Sequence, residues 1–182
     1  MSGNIDNLPR WFELSDGVHT CKVHLYEALE YTQTYEKFGG SVLHRMLSGK
    51  GIKQTNWAKL RTALSGNGGM PLGFSALNYA GVLTLKCGTQ RAISQATNVI
   101  VIPAARRTDT GYEPVAFKCV DGFWVEAAMS LSGNTATITA DGAATAYMAQ
   151  YYPQLSVLMD DPNESYNWGE ASSSWSITAE EE

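Results

Sequence analysis

Residues 113–159 read EPVAFKCVDGFWVEAAMSLSGNTATITADGAATAYMAQYYPQLSVLM, and their reading decides the fold. Val115, Phe117 and Cys119 alternate with polar or small neighbours up to Asp121-Gly122, a pair that accepts positive φ at a hairpin tip. On the return Phe123, Val125 and Ala127 face one way, and Ser132-Gly133-Asn134 breaks the run. Thr135 to Ala140 alternates again and Asp141-Gly142 offers another tip. A strand over Ala144 to Tyr152 follows, and Leu155, Val157 and Met159 form a last run closed by Asp160-Asp161-Pro162. Turn signals at roughly 8 to 12 residue spacing predict an antiparallel meander belonging to a β-sandwich or barrel.

Working outward, Trp11 to Leu14 and Val18 to Tyr26 read as strands around Ser15-Asp16-Gly17. Glu27 to Glu36 is predicted extended, because its tyrosines and threonines alternate with polar residues. Val82 to Cys87 and Asn98 to Ile102 are short β-rich runs, the second ended by Pro103. Leu72 to Tyr79, after Met70-Pro71, is the one helix expected, and it is too short to stand without tertiary packing. The whole chain, 1–182, is thus expected to be a single mainly β domain.

A protruding hairpin arm is expected at about 39–69. Residues 37–69 hold seven glycines and six cations with little continuous apolar surface. Ile52, Thr55, Trp57, Leu60, Thr62 and Leu64 are interleaved there with Lys53, Lys59 and Arg61. Such an arm has an open edge and apolar side chains that neighbouring copies could cover. Arg45, Lys50, Lys53, Trp57, Lys59 and Arg61 are therefore the candidate subunit-interface residues.

Charge is segregated along the chain, which carries −5 overall. Residues 1–36 hold six acidic and two basic side chains; residues 37–108 hold ten basic and none acidic; residues 109–182 hold twelve acidic and only Lys118 basic. If the pattern survives folding, oppositely charged patches can meet head to tail between copies. If the fold interleaves the segments, no patch exists.

Catalytic and metal motifs are weak. His19 and His24, five apart on a strand, would face opposite ways, and no GxSxG surrounds any serine. Gly49-Lys50-Gly51 lacks the spacing of a phosphate loop. Asp160, Asp161 and Glu164 read as a solvated turn, and Glu180-Glu181-Glu182 as a frayed tail. Cys21, Cys87 and Cys119 are an odd set without CxxC spacing, read as buried thiols of a reducing compartment. No enzyme activity, metal or cofactor is expected. No apolar run is long enough for a spanning helix and the start lacks a signal-peptide pattern, so neither membrane insertion nor secretion is expected.

Two segments resemble small virion proteins of long-tailed bacteriophages. One is Tyr151-Tyr152-Pro153 with the closing Trp175-Ser176-Ile177-Thr178-Ala179-Glu180-Glu181. The other is residues 38–88, with the pattern Trp57-x-Lys59-Leu60-x-Thr62, a G-x-G-x-x-P turn and a short helical stretch. The group includes tail-tube, distal-tail and minor tail proteins, and the resemblance spans about residues 8–182. It implies a β-sandwich or barrel that oligomerises into a ring, a hexamer or a trimer, contacting adjacent tail proteins, with DNA only as passing cargo. It also implies assembly in the host cytoplasm and no catalysis. A tail terminator or head-tail joining ring is the alternative within the group. Outside it, the basic segment 45–61 could serve a nucleic-acid-binding module through phosphate contacts and stacking on Trp57.

Overall fold

The computed structural model describes residues 11–24 and 30–182. The protein is mainly β, built of antiparallel sheets with no closed barrel. The strands in chain order are β1 (Trp11–Ser15), β2 (Thr20–His24), β3 (Thr32–Phe38), β4 (Ser41–Arg45), β5 (Gly51–Thr55), β6 (Lys59–Gly68), β7 (Leu83–Lys86) and β8 (Arg91–Gln95). They continue as β9 (Val99–Val101), β10 (Val115–Val120), β11 (Phe123–Ala127), β12 (Met129–Ser132), β13 (Thr135–Ile138), β14 (Ala144–Tyr151), β15 (Gln154–Leu158), β16 (Asn163–Asn167) and β17 (Ser172–Glu181). The chain groups into two compact units. One comprises the chain up to Glu13 with Lys86–Leu155, the other Leu14–Leu85 with Ser156–Glu182.

In the first unit, β11-β10-β14-β8 form a four-stranded sheet and β12-β13-β9 a three-stranded one. Their facing side chains, among them Ile100, Ile102, Ala136, Ile138, Tyr147 and Ala149, make one buried cluster. Asp121 and Gly122 take φ of 51° and 83°, the left-handed pair that a two-residue hairpin needs. The predicted simple meander is corrected. β11 does not pair with β12, because the small residues Ala127 and Ala128 let the chain step straight into the second sheet, where Thr139 donates its N–H to the Ala128 carbonyl. β14 then returns beside β10 rather than beside β13.

This unit also buries a charge. Arg107 is fully buried, its guanidinium 3.8 Å above the Trp11 ring and 3.2 Å from the Tyr112 ring centre. Nε donates to Asp109 at 2.8 Å, and Nη1 donates to the carbonyls of Trp11 and Cys87, each at 2.9 Å. A buried cation is tolerable only when paired and hydrogen-bonded in this way. Asp109 also accepts from Lys86 at 3.2 Å, and Lys86 reaches Glu13 at 3.0 Å. Desolvation would raise the Asp109 carboxyl, but Arg107 and Lys86 outweigh it and hold it low. Desolvation likewise opposes the charge on Lys86, yet Glu13 and Asp109 together keep its pKa raised.

The second unit holds β2, β3, β6, β16 and β17 entire, and in it β17 pairs with both β6 and β16. β6 lies between β17 and β3, in registers that run from Ser173↔Gly68 to Glu180↔Arg61 and from Thr32↔Ser65 to Phe38↔Lys59. Alternation sets the faces: Leu60, Thr62 and Leu64 of β6 and Trp175, Ile177 and Ala179 of β17 are buried, while the residues between them are not. Trp175 meets Phe74 edge-on at 5.8 Å between ring centres.

Several sequence expectations are corrected in this unit. The helix over Leu72 to Tyr79 is only a 3-10 turn at Phe74–Ala76, because Gly73 before it is left-handed and Leu77 after it is already extended. Val18 and His19 belong to a turn, and the following strand begins at Thr20. Of the segment Glu27 to Glu36, residues 27–29 lie outside the described residues and the strand starts at Thr32, as does Tyr26 lie outside the described part of the preceding run. Glu180 and Glu181 are not a frayed tail but the end of β17. The expected arm at 39–69 is shorter, since 59–68 is the interior strand β6. Among the described residues no helix is long and apolar enough to cross a membrane.

Candidate assembly surface

The arm is the β4–β5 hairpin, a two-stranded sheet of its own. Its register pairs Leu43 with Lys53 and Arg45 with Gly51 on one face, and Val42 with Gln54 and His44 with Ile52 on the other. Each face therefore carries apolar and polar side chains, and every residue of both strands is exposed. Leu43 is 61% exposed, Val42 51%, and Leu47 at the tip is entirely open beside the exposed Met46. The tip is closed by Met46 N–H to Lys50 O and Gly49 N–H to Met46 O, at 3.0 and 2.8 Å.

Where the arm leaves the sheet its direction is fixed. Trp57 packs edge-on against Phe38 at 5.5 Å, Asn56 N–H donates to Gly40 O at 2.9 Å, and the Arg61 guanidinium lies over the Phe38 ring, 4.9 Å from its centre. Gly39 and Gly40 are required by close approach. A Cβ on Gly39 would collide with the Trp57 carbonyl oxygen, and one on Gly40 would lie 2.7 Å from the Trp57 indole nitrogen.

The six candidate interface residues separate into two groups. Arg45, Lys50 and Lys53 stand on the exposed arm with Trp57 at its root. Arg45 donates to Gly49 O at 3.3 Å, and among the described residues Lys50 and Lys53 make no ion pair. Lys59 and Arg61, by contrast, are engaged by the acidic end of their own chain. Lys59 Nζ donates to the Glu182 carbonyl, Leu60 N–H to Glu181 at 2.9 Å, and Arg61 to Glu180 at 2.6 Å, with Glu36 3.6 Å away. The charge segregation seen in sequence is thus partly interleaved by folding. Arg106 is likewise occupied, donating to Pro103 O, Gly133 O and Asn134 Oδ1 around the β12–β13 turn. On the arm, Arg45, Lys50 and Lys53 form no ion pair among the described residues.

A second exposed apolar surface escaped the sequence reading. Phe123, Trp124 and Val125 of β11 are all exposed, Phe123 by 75%, and only Ala127 packs against the core cluster. Phe123, Val125 and Ala127 alternate with Trp124 and Glu126 along the strand, and of the three on that face Phe123 and Val125 are left uncovered. Three consecutive large apolar residues put apolar surface on both faces of the strand, which was the available signal. β11 pairs with β10 on one side and ends its sheet on the other.

The remaining candidates form no chemical constellation among the described residues. His19 Nδ1 sits 3.3 Å from Asp16, whose carboxylate caps the turn by accepting from His19 N–H, Asn78 N–H and Val18 N–H. Those bonds, the one from His19 foremost, hold Asp16 far below the usual carboxylate range. His24 and His44 are exposed, and no group of three or more His, Cys, Asp or Glu is placed to hold a metal. Cys21 and Cys87 are buried and Cys119 is half-buried. Burial pushes the Cys21 thiol up to about 11, and its Sγ donates to Leu72 O. A groove of about 450 Å³ over β3, β6, β16 and β17 is floored by Thr32, Ser65, Asn67 and Ser174. Ser174 and Ser165 hydrogen-bond each other there at 2.7 Å, with no histidine or lysine among the lining residues to activate either hydroxyl. No protein-family model matches the chain, and no curated protein matches it significantly.

Proposed function

We propose that the chain is a structural virion protein of a long-tailed bacteriophage, joining copies of itself into a ring of the tail as a tail-tube or distal-tail component. The observation that carries this reading is the β4–β5 arm, rooted rigidly by Trp57, Gly39 and Gly40 and left uncovered by its own fold. Five large apolar side chains, Val42, Leu43, Met46, Leu47 and Ile52, are exposed on it together with three cations. Apolar patches of this kind on a folded chain mark interaction surfaces. Sedimentation of the purified chain over a concentration series tests the reading: a discrete closed oligomer is expected, and a monomer across the whole range refutes it.

A nucleic-acid-binding reading has one observation in its favour, that Arg45, Lys50 and Lys53 stand exposed on an arm whose root carries the half-exposed Trp57. A titration with single- and double-stranded DNA at about 0.15 M salt separates the two. A non-specific binder shows dissociation constants near 10⁻⁴ to 10⁻⁶ M with a steep salt slope. The structural reading expects weaker binding than that.

A further inference from the structure

We infer that the free edge of β11 in one copy receives the β4–β5 arm of a second copy, so that the β11-β10-β14-β8 sheet is continued across the contact by a strand of the arm. The inference rests on the ring-forming reading and names the surface that the arm meets.

An open strand edge presents a row of unsatisfied N–H and C=O groups, and proteins usually guard it with lysine, proline, a bulge or extreme shortness. β11 has none of these guards: five residues, Phe-Trp-Val-Glu-Ala, with a continuous register to β10. Its charges are acidic. Asp121 and Glu126 stand on the β10–β11 hairpin, and Lys118, the cation opposite Val125, is neutralised by Asp141 at 2.6 Å. The arm offers Arg45, Lys50 and Lys53 and no acid.

The other edges suit the arm less well. β2 and β8 carry Lys22 and Arg91, of the same sign as the arm, and β3, with Glu36 beside Lys37, exposes no large apolar side chain. β9 has three residues and is followed by Pro103, and β12 has no charge. β16 carries Glu164 and exposes Tyr166, but that ring is already packed edge-on against Trp168 and the strand's other residues are Asn163, Ser165 and Asn167. Exposed ion pairs contribute little next to apolar burial, so the apolar match decides in favour of β11.

Edge addition also fits the distribution of apolar groups better than face packing does. The arm has Leu43 on one face and Val42 with Ile52 on the other. β11 has Phe123 and Val125 on one face and Trp124 on the other. Packing face to face would cover one side of each and leave the other wet. Pairing edge to edge places apolar neighbours on both faces at once, while backbone hydrogen bonds satisfy both edges. Because two different surfaces meet, the contact is heterologous and repeats from copy to copy until a rotation closes it.

The test uses two variants. In one, Val42–Gln54 is replaced by Asn-Gly, which removes the arm and keeps β11; in the other, Val125→Lys blocks β11 and keeps the arm. Each alone is expected to self-associate at least tenfold more weakly than the unmodified chain, with the cooperative unfolding transition of the unmodified chain retained. Mixed in equal amounts, they should form one-to-one heterodimers and nothing larger, since a single intact joint remains. A β11 variant that assembles normally, or a mixture that stays monomeric, overturns the inference while the unmodified chain's ring still supports the ring reading. An unmodified chain that never assembles removes both. A charge pair guards against a folding artefact of Val125→Lys: Lys53→Glu and Glu126→Lys should each weaken assembly, and the double variant should restore it at least in part. Failure of the exchange to restore what both single changes remove also overturns the pairing.

Discussion

Removing the arm should leave the stability of the chain nearly unchanged, and this follows from where its residues sit. Ser41 and Thr55 are cross-strand partners, so Asn-Gly in place of Val42–Gln54 can join them through a two-residue turn. Every residue of β4 and β5 is exposed, so little buried apolar area is lost. Halving the length of a loop changes closure entropy by only about 0.6 kcal/mol. The expected change in unfolding free energy is therefore within about 1 kcal/mol, by urea denaturation followed by circular dichroism, with an m-value only slightly reduced. Deletion of Ser48 to Gly66 makes the contrast. It removes Leu60 and Leu64, 6% and 1% exposed, whose loss at about 2–5 kcal/mol each approaches the 5–15 kcal/mol that a whole domain possesses. It also strips β17 and β3 of the strand between them, so that chain should not fold. A loss of more than about 2 kcal/mol in the Asn-Gly variant would refute the reasoning, because the arm would then be covered by its own chain.

Gly39→Ala should spread the root of the arm, disturbing the Asn56–Gly40 hydrogen bond at a cost of about 1–3 kcal/mol, and should weaken assembly without changing any exposed side chain. Limited proteolysis at 46–50 and sedimentation check it. Arg107→Met should destabilise by about 3–5 kcal/mol in urea, since Asp109 loses a partner and two buried carbonyls lose a donor. Asp109 has a lowered folded pKa, so its contribution is full above the ordinary carboxylate range and is lost as pH falls through the folded value. Thermal midpoints should therefore drop below about pH 4, and less steeply in Asp109→Asn. Lys86, with its pKa raised, contributes below its ordinary value and loses that contribution as pH climbs through the folded one.

The strand content was legible because alternation and turn chemistry are local. Asp121-Gly122 marks its hairpin by conformation alone, and Leu60, Thr62 and Leu64 mark the buried face of β6 by period. The pairing of β6 with β17 is not local, and nothing around Arg61 indicates that Glu180 will meet it. For the same reason the arm was drawn too long: alternation continues from β5 into β6, and only the tertiary partner separates an exposed hairpin from an interior strand. The burial of Arg107 is not legible in sequence, because it depends on Trp11, Tyr112 and Asp109 converging on the guanidinium. Of the candidate site, the four arm residues could be found from composition, while the exposure of β11 depended on which side of its sheet the core would occupy.

The placement of β6 between β3 and β17 has a consequence for how a nascent chain matures. Arg61 and Glu180 are 119 residues apart, so at about 5–20 residues per second of synthesis β6 waits roughly 6 to 24 seconds for β17 to exist. Its β3 side closes early through a short-range hairpin, but its other side stays open, with Leu60 and Leu64 still wet. Charges flanking an apolar strand discourage misassembly of such intermediates. Lys59 and Arg61, which finish as partners of Glu182 and Glu180, stand at that open edge from the start. The expected consequence is that these like charges disfavour pairing of the open β6 with another nascent chain, until the acidic strand emerges and is drawn to them.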